Sequence, residues 1–192
     1  VNGKQITVQF FIDDLHISCE NMEEIDKLIE DLNNKFRTNF QELAVNKGKV
    51  HNYLGINIDY SNYNYVKFTM YDFLEDVLEE ARGDMNGTSK WPANSKLFEV
   101  DKESPKLSIN DQDYFHRMVA RLLFVAKRMR PDLQVAVAFL CTRVSAPTKQ
   151  DYNKLVTVIK YIRHTIHLPL LIGWDKSGVL IWCVDAAFAV HK

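Results

Sequence analysis

The chain has 192 residues and a formal net charge of −1, with 46% hydrophobic, 26% charged and 11% aromatic residues and only seven Gly and five Pro. This balance excludes disordered, collagen-like and disulfide-scaffold classes, and the length suffices to bury roughly 70% of the unfolded chain's surface. No apolar run approaches the ~18 residues of a membrane span. Cys19, Cys141 and Cys183 show no CxxC spacing, so the sequence reads as an intracellular protein of a reducing compartment. Val1 to Gln5 offer neither an initiator Met nor a signal-like segment, and the start reads as internal to a longer protein. Charge is unevenly spread. Residues 1 to 113 hold 12 Lys/Arg against 21 Asp/Glu, residues 114 to 164 hold 10 against 2, and residues 165 to 192 hold 2 against 2. A basic block in a neutral chain points to an anionic partner, of which nucleic acid is the commonest.

Ile6 to Ile12 alternate in β-forming residues and Leu15 to Cys19 follow after Asp13-Asp14, which predicts a hairpin with two carboxylates at its tip. Asn21 with Glu24 resembles a capping box, and Met22, Ile25, Leu28, Ile29, Leu32 and Phe36 predict a helix over about 22 to 37. The runs Phe40 to Val45, His51 to Tyr60 and Tyr65 to Met70, separated by turn-like clusters, predict a small antiparallel meander. Tyr71 to Ala81 reads as an acidic helix stopped by Gly83, and 84–110 as a strap or linker with no period. Three helical patterns follow, Asp111 to Met129, Pro131 to Val144 and Pro147 to Ile166. A second hairpin is predicted from Leu170 to Trp174 and Val179 to Val184.

Two carboxylates a few ångström apart repel by roughly 4 kcal/mol at an effective dielectric near 20, so Asp13 and Asp14 at a hairpin tip favour a divalent cation. Asp-Asp in a tight turn is also ordinary solvated turn chemistry. On the helix from 111, Arg117, Arg121 and Arg128 fall within about 40° of one another on a helical wheel, opposite Met118, Leu122, Ala126 and Met129. Such a stripe suits phosphate tracking, or is a solvated face, and Lys154, Lys160 and Arg163 are candidates to extend it. His164 and His167 at i, i+3 suit either a metal or the helix C-terminal dipole, Tyr53, Tyr60, Tyr63 and Tyr65 either base stacking or cross-strand packing, and Ser18-Cys19 lacks a base.

Four segments in order carry a family resemblance: Phe11-Ile12-Asp13-Asp14, then Asn52 to Ile58, then Phe115 to Phe124 with Arg130-Pro131-Asp132, then Val184 to Ala189. Together they resemble the reverse transcriptase and ribonuclease H region of copia-type retrotransposon polyproteins, over nearly the whole chain. The resemblance implies an α+β fragment. Residues 1–62 would be the C-terminal half of a polymerase palm, built of antiparallel hairpins plus a helix and including the primer-grip hairpin. Residues 63–168 would be the mainly helical thumb and connection, and 169–192 the truncated first hairpin of a ribonuclease H-like fold.

In that family Asp13 would bridge two Mg²⁺ ions and Asp14 would be the second, less direct ligand. Tyr53, Leu54 and Gly55 would form the primer grip, with Gly55 read as a strand glycine that admits another backbone. Arg117, Arg121 and Arg128 would bind nucleic acid, and Asp185 would be the first ribonuclease H metal ligand. The chain departs from the family at Phe11 for Tyr, Ile12 for Val, Ala187 for the next acid and Phe188 for Trp. The third palm carboxylate, the fingers and most ribonuclease H acids have no counterpart here, so the chain alone is expected to be inactive. The implied partners are an RNA template, a DNA primer/template duplex, and the remaining palm, fingers and ribonuclease H of the same polyprotein, in a cytoplasmic retrotransposon particle or the nucleus and away from membranes. The alternatives are a decayed or domesticated retroelement fragment that only binds nucleic acid or protein, and an unrelated metal-dependent phosphotransferase.

Overall fold

The computed structural model describes residues 5–37, 43–173 and 175–179. It is an α+β chain with antiparallel sheets and five α-helices among the described residues, dividing into two compact units, Val1–Leu54 and Gly55–Lys192.

In the first unit, β1 (Ile6–Phe11) pairs antiparallel with β2 (Asp14–Cys19), with Phe11 opposite Asp14, Phe10 opposite Leu15 and Gln9 opposite His16. The two-residue loop is therefore Ile12-Asp13, one residue earlier than the sequence reading placed it. Because strand side chains alternate, Ile6, Val8, Phe10, Leu15, Ile17 and Cys19 share one face, and Gln9, Asp14, His16 and Ser18 share the other. The helix α1 (Met22–Phe36) packs on β2. Asn21 caps it by accepting from the Glu23 amide, 3.1 Å, whereas Glu24 turns to Lys27, so the capping box does not form. No α1 residue is fully buried. The expected strand Phe40 to Val45 lies partly outside the described residues, and Leu43 to Val45 carry no strand; the Leu43 amide donates instead to the Asn33 side chain, 3.0 Å. The strand β3 (Val50–Tyr53) closes the unit.

The run His51 to Tyr60 is not one strand. β3 ends at Tyr53, and β4 (Ile56–Asp59) begins after Leu54 and Gly55, which have φ of 53° and 74°. Two successive positive φ values are the signature of a tight two-residue turn, and they explain the glycine. A Cβ on Gly55 would meet none of the chain's own described atoms within 4 Å.

In the second unit, β4 pairs antiparallel with β5 (Tyr65–Thr69), and β5 pairs on its other edge with β6 (Leu170–Gly173), Tyr65 opposite Gly173. The Cβ that Gly173 lacks would lie 3.1 Å from the Asn64 carbonyl oxygen, so a side chain there would push the pair apart. Most of the expected partner of β6, Val179 to Val184, lies outside the described residues.

The helices α2 (Tyr71–Glu79), α3 (Ile109–Arg128), α4 (Gln134–Cys141) and α5 (Lys149–His164) supply the core. Phe115, Met118, Leu122, Leu133, Leu140, Leu155 and Ile159 are completely enclosed, each side chain contributing about 1.5 to 3 kcal/mol by leaving water. Ser108 caps α3 and Thr148 caps α5, the latter in a full capping box with Asp151. Pro131 opens a 3-10 turn, and the α-helical part begins only at Gln134. The stretch 84–110 is a strap, as its missing period suggested, and it lies along α5. The Ser89 amide donates to the Lys160 carbonyl, Lys149 to Pro105 and Leu107 to Pro147, while Met85 and Leu97 enter the core. No helix among the described residues is long and apolar enough to cross a membrane.

Candidate catalytic hairpin and arginine face

A two-residue hairpin loop requires positive φ at its first position, and here Ile12 takes it, at 56°. A β-branched residue is disfavoured there by roughly 1 to 3 kcal/mol, and Ile12 is 85% exposed, so no burial offsets the cost. Asp13 follows in the loop and Asp14 opens β2, both exposed. Asp14 shares its strand face with His16, whose ring stands 5.5 Å from that of Tyr53 and 6.0 Å from that of His51. Burial, and then the charge of His51, hold the His16 imidazole below its ordinary value, which favours the neutral ring. The structure thus brings Tyr53 to the strand that carries Asp14, and Tyr53 packs on a histidine.

The two carboxylates are hard oxygen donors of the type Mg²⁺ takes, and the chemistry fits. Two carboxylates make up part of such a ligand set. Among the described residues no group of three or more His, Cys, Asp or Glu side chains is placed to hold a metal ion. Asp185 lies outside the described residues.

Arg117, Arg121 and Arg128 share one face of α3, as their spacing requires, but two of them are not free. Arg117 Nε donates to one oxygen of Glu80 and an Arg121 guanidinium N–H to the other. Partial burial would raise the Glu80 carboxyl, and the two arginines outweigh that and hold it below its ordinary value. Arg121 also lies over the Phe73 ring at 5.2 Å, Phe73 stacks on Phe124 at 5.1 Å, and Arg128 lies over Phe124 at 3.8 Å. Among the described residues Arg128 has no carboxylate partner.

Three more cations of the basic block are also committed. Arg130 is 1% exposed, grips Asp132 through paired hydrogen bonds of 2.7 and 2.9 Å, and donates to the Thr165 hydroxyl and carbonyl. Arg143 donates to the fully buried Asp151 at 3.1 Å. Four of the ten cations in 114–164 are therefore ion-paired, two with Asp132 and Asp151 of the block itself and two with the single carboxylate of Glu80 from outside it. Lys154 does not extend the arginine stripe: it donates to the Glu99 carbonyl on the strap and covers Phe139.

The weaker candidates also find structural partners. His167 stands edge-on to Tyr71 at 5.6 Å, and Cys19 Sγ accepts from the Asn21 amide. Sequence reasoning missed Glu80, whose partners lie 37 and 41 positions away, and no local pattern flags it.

The chain is similar to the Gag-Pol polyproteins of transposons Ty1-JR2 and Ty1-NL1 of Saccharomyces cerevisiae, 22% identical over 185 residues, covering 91% of the chain and 10% of each polyprotein. It is 24% identical over 189 residues to a transposon Ty5-1 protein of the same yeast, covering 97% of the chain and 58% of that protein. It thus spans about a tenth of the length of the Ty1 relatives. No protein-family model matches the chain, and no solved structure does. The copia-type resemblance read from four short segments stands as a distant similarity to Ty1 and Ty5 polyproteins over most of the chain.

Proposed function

We propose that the chain is a piece of the RNA-directed DNA polymerase of a copia-type retrotransposon, running from the Asp-Asp hairpin of the palm through the thumb and connection to the start of ribonuclease H. The observation that carries the reading is the placement of Asp13 and Asp14 at the end of a tight β-hairpin, in a chain similar over nine-tenths of its length to retrotransposon polyproteins. In the parent enzyme two Mg²⁺ ions, when bound, supply the positive charge that nucleotidyl transfer needs at the attacking and leaving oxygens. The share of this chain is to present the Asp13 carboxylate from the loop and the Asp14 carboxylate from the strand beside it. Tyr53, Leu54 and Gly55 hold the primer end, the arginine face of α3 meets the backbone of the RNA/DNA or DNA duplex, and Asp185 contributes to the ribonuclease H site.

Primer extension on an RNA template tests the reading. The 192-residue chain is expected to stay at background, because two carboxylates do not fix two ions. A version extended upstream to include the remaining palm and fingers is expected to extend the primer. Robust synthesis by the chain alone, or none by the extended version, would overturn the proposal.

A further inference from the structure

Glu80 is oddly placed for a carboxylate. It follows the last turn of α2, where the helix dipole disfavours negative charge, and that turn has no basic residue to offset it. What holds it is the pair Arg117 and Arg121, one turn apart on α3 and so about 6 Å apart along the axis, each donating to a different oxygen of the same group. Two guanidinium groups converging on one anion, each through a single N–H, is also an arrangement in which arginines can take a phosphate. Arg121 keeps a second support, the Phe73 ring, and that ring is stacked through Phe124 on Arg128, so the cationic face stays assembled whether or not Glu80 occupies it.

We propose that Glu80 is an internal surrogate for phosphate: it occupies an anion site formed by Arg117 and Arg121, and a phosphodiester of a bound nucleic-acid backbone displaces it. The proposal rests on the reading of α3 as a nucleic-acid face and adds the group that regulates it. With Glu80 seated, Arg128 is the stripe's one arginine without a carboxylate partner among the described residues, and a phosphodiester must displace Glu80 to reach the other two, which weakens binding. With Glu80 displaced or neutralised, all three arginines face phosphate, and the grip tightens.

The test is a salt titration of binding to a short RNA/DNA hybrid, read by fluorescence anisotropy, for the wild-type chain, Glu80→Gln, Glu80→Ala and Arg128→Gln. Removing the competing carboxylate is expected to tighten binding about tenfold at 0.1 M salt, since two partly exposed ion pairs no longer have to be exchanged. The slope of log affinity against log salt is expected to stay near the wild-type value, because the same phosphates are neutralised in both complexes once Glu80 has been displaced. Arg128→Gln is expected to weaken wild-type binding and flatten its slope by roughly 1. Circular dichroism identifies whichever Glu80 variant keeps the helical content, and Glu80→Ala serves if Gln does not. Unchanged affinity in a folded Glu80 variant, or a slope steepened by roughly 2, which would mean that Glu80 stays seated in the wild-type complex, would overturn the surrogate and, with Arg128→Gln still weakening binding, leave the nucleic-acid face standing. No effect from any of the three would remove the face itself.

Discussion

Arg130 shows what a single buried charge demands. The guanidinium is 1% exposed, and it is tolerated because Asp132 accepts two of its hydrogen bonds and Thr165, at the end of α5, accepts others. One side chain therefore ties the α3–α4 junction to the far end of a third helix. Removing a partner from a buried charge costs more than the pair itself contributes, so Asp132→Ala is expected to destabilise the second unit by about 3 kcal/mol, read as a lower urea midpoint at neutral pH. Burial would raise the Asp132 carboxyl, but the hydrogen bonds and charge of Arg130 hold it below its ordinary value of 3.8. A depressed folded value means that the unfolded chain takes up the proton first. The contribution of Asp132 is then complete above about pH 4 and is lost as pH falls through the folded value, and the urea midpoint of Asp132→Asn is expected to fall less over that acid range than that of the wild type.

At the scale of elements, the β1–β2 hairpin carries strain where its chemistry would be. Ile12 at φ 56° holds a conformation that glycine adopts freely, and at 85% exposure its side chain contributes little by packing. Ile12→Gly is expected to stabilise the hairpin by ~1 kcal/mol after the entropy glycine adds to the unfolded chain, slowing hydrogen exchange of the β1 and β2 amides about fivefold. Unchanged or faster exchange would show that the loop is not strained. The helices were legible because their signals are local. Asn21 and the apolar repeat after it placed α1 to within a residue, while α3 begins two residues earlier than its pattern because its cap is Ser108. The hairpin tip was misplaced by one residue because nothing in the order Phe11-Ile12-Asp13-Asp14 tells which two residues leave the ladder. His51 to Tyr60 looked continuous because Leu54 is an apolar residue in a turn that glycine alone usually marks.

Across the whole molecule, the features that escaped the sequence are those that join distant positions. The pairing of β5 with β6 spans about a hundred residues, and the strap finds its bonds on α5, which lies some fifty positions beyond it. Composition showed a block of surplus positive charge; the structure shows that Glu80, Asp132 and Asp151 are ion-paired with four of its cations. The fully buried apolar side chains all belong to the second unit, beginning at Ile58, whereas the hairpin with Asp13 and Asp14 stands in a unit with none among its described residues. Periodicity could rank the helices, but it could not show that the candidate catalytic pair sits on the less consolidated unit. The central claim is that this pair is the palm share of a polymerase site. The most direct measurement is the primer-extension rate of the upstream-extended protein carrying Asp13→Asn, compared with Asp14→Asn, since the change keeps the side chain's shape and removes the charge that would hold both ions. The account predicts that Asp13→Asn lowers the rate at least about a hundredfold, that Asp14→Asn lowers it less, and that both leave the fold intact. An Asp13→Asn rate above about a tenth of wild type, a loss of under ~1.4 kcal/mol of transition-state stabilisation, would contradict it.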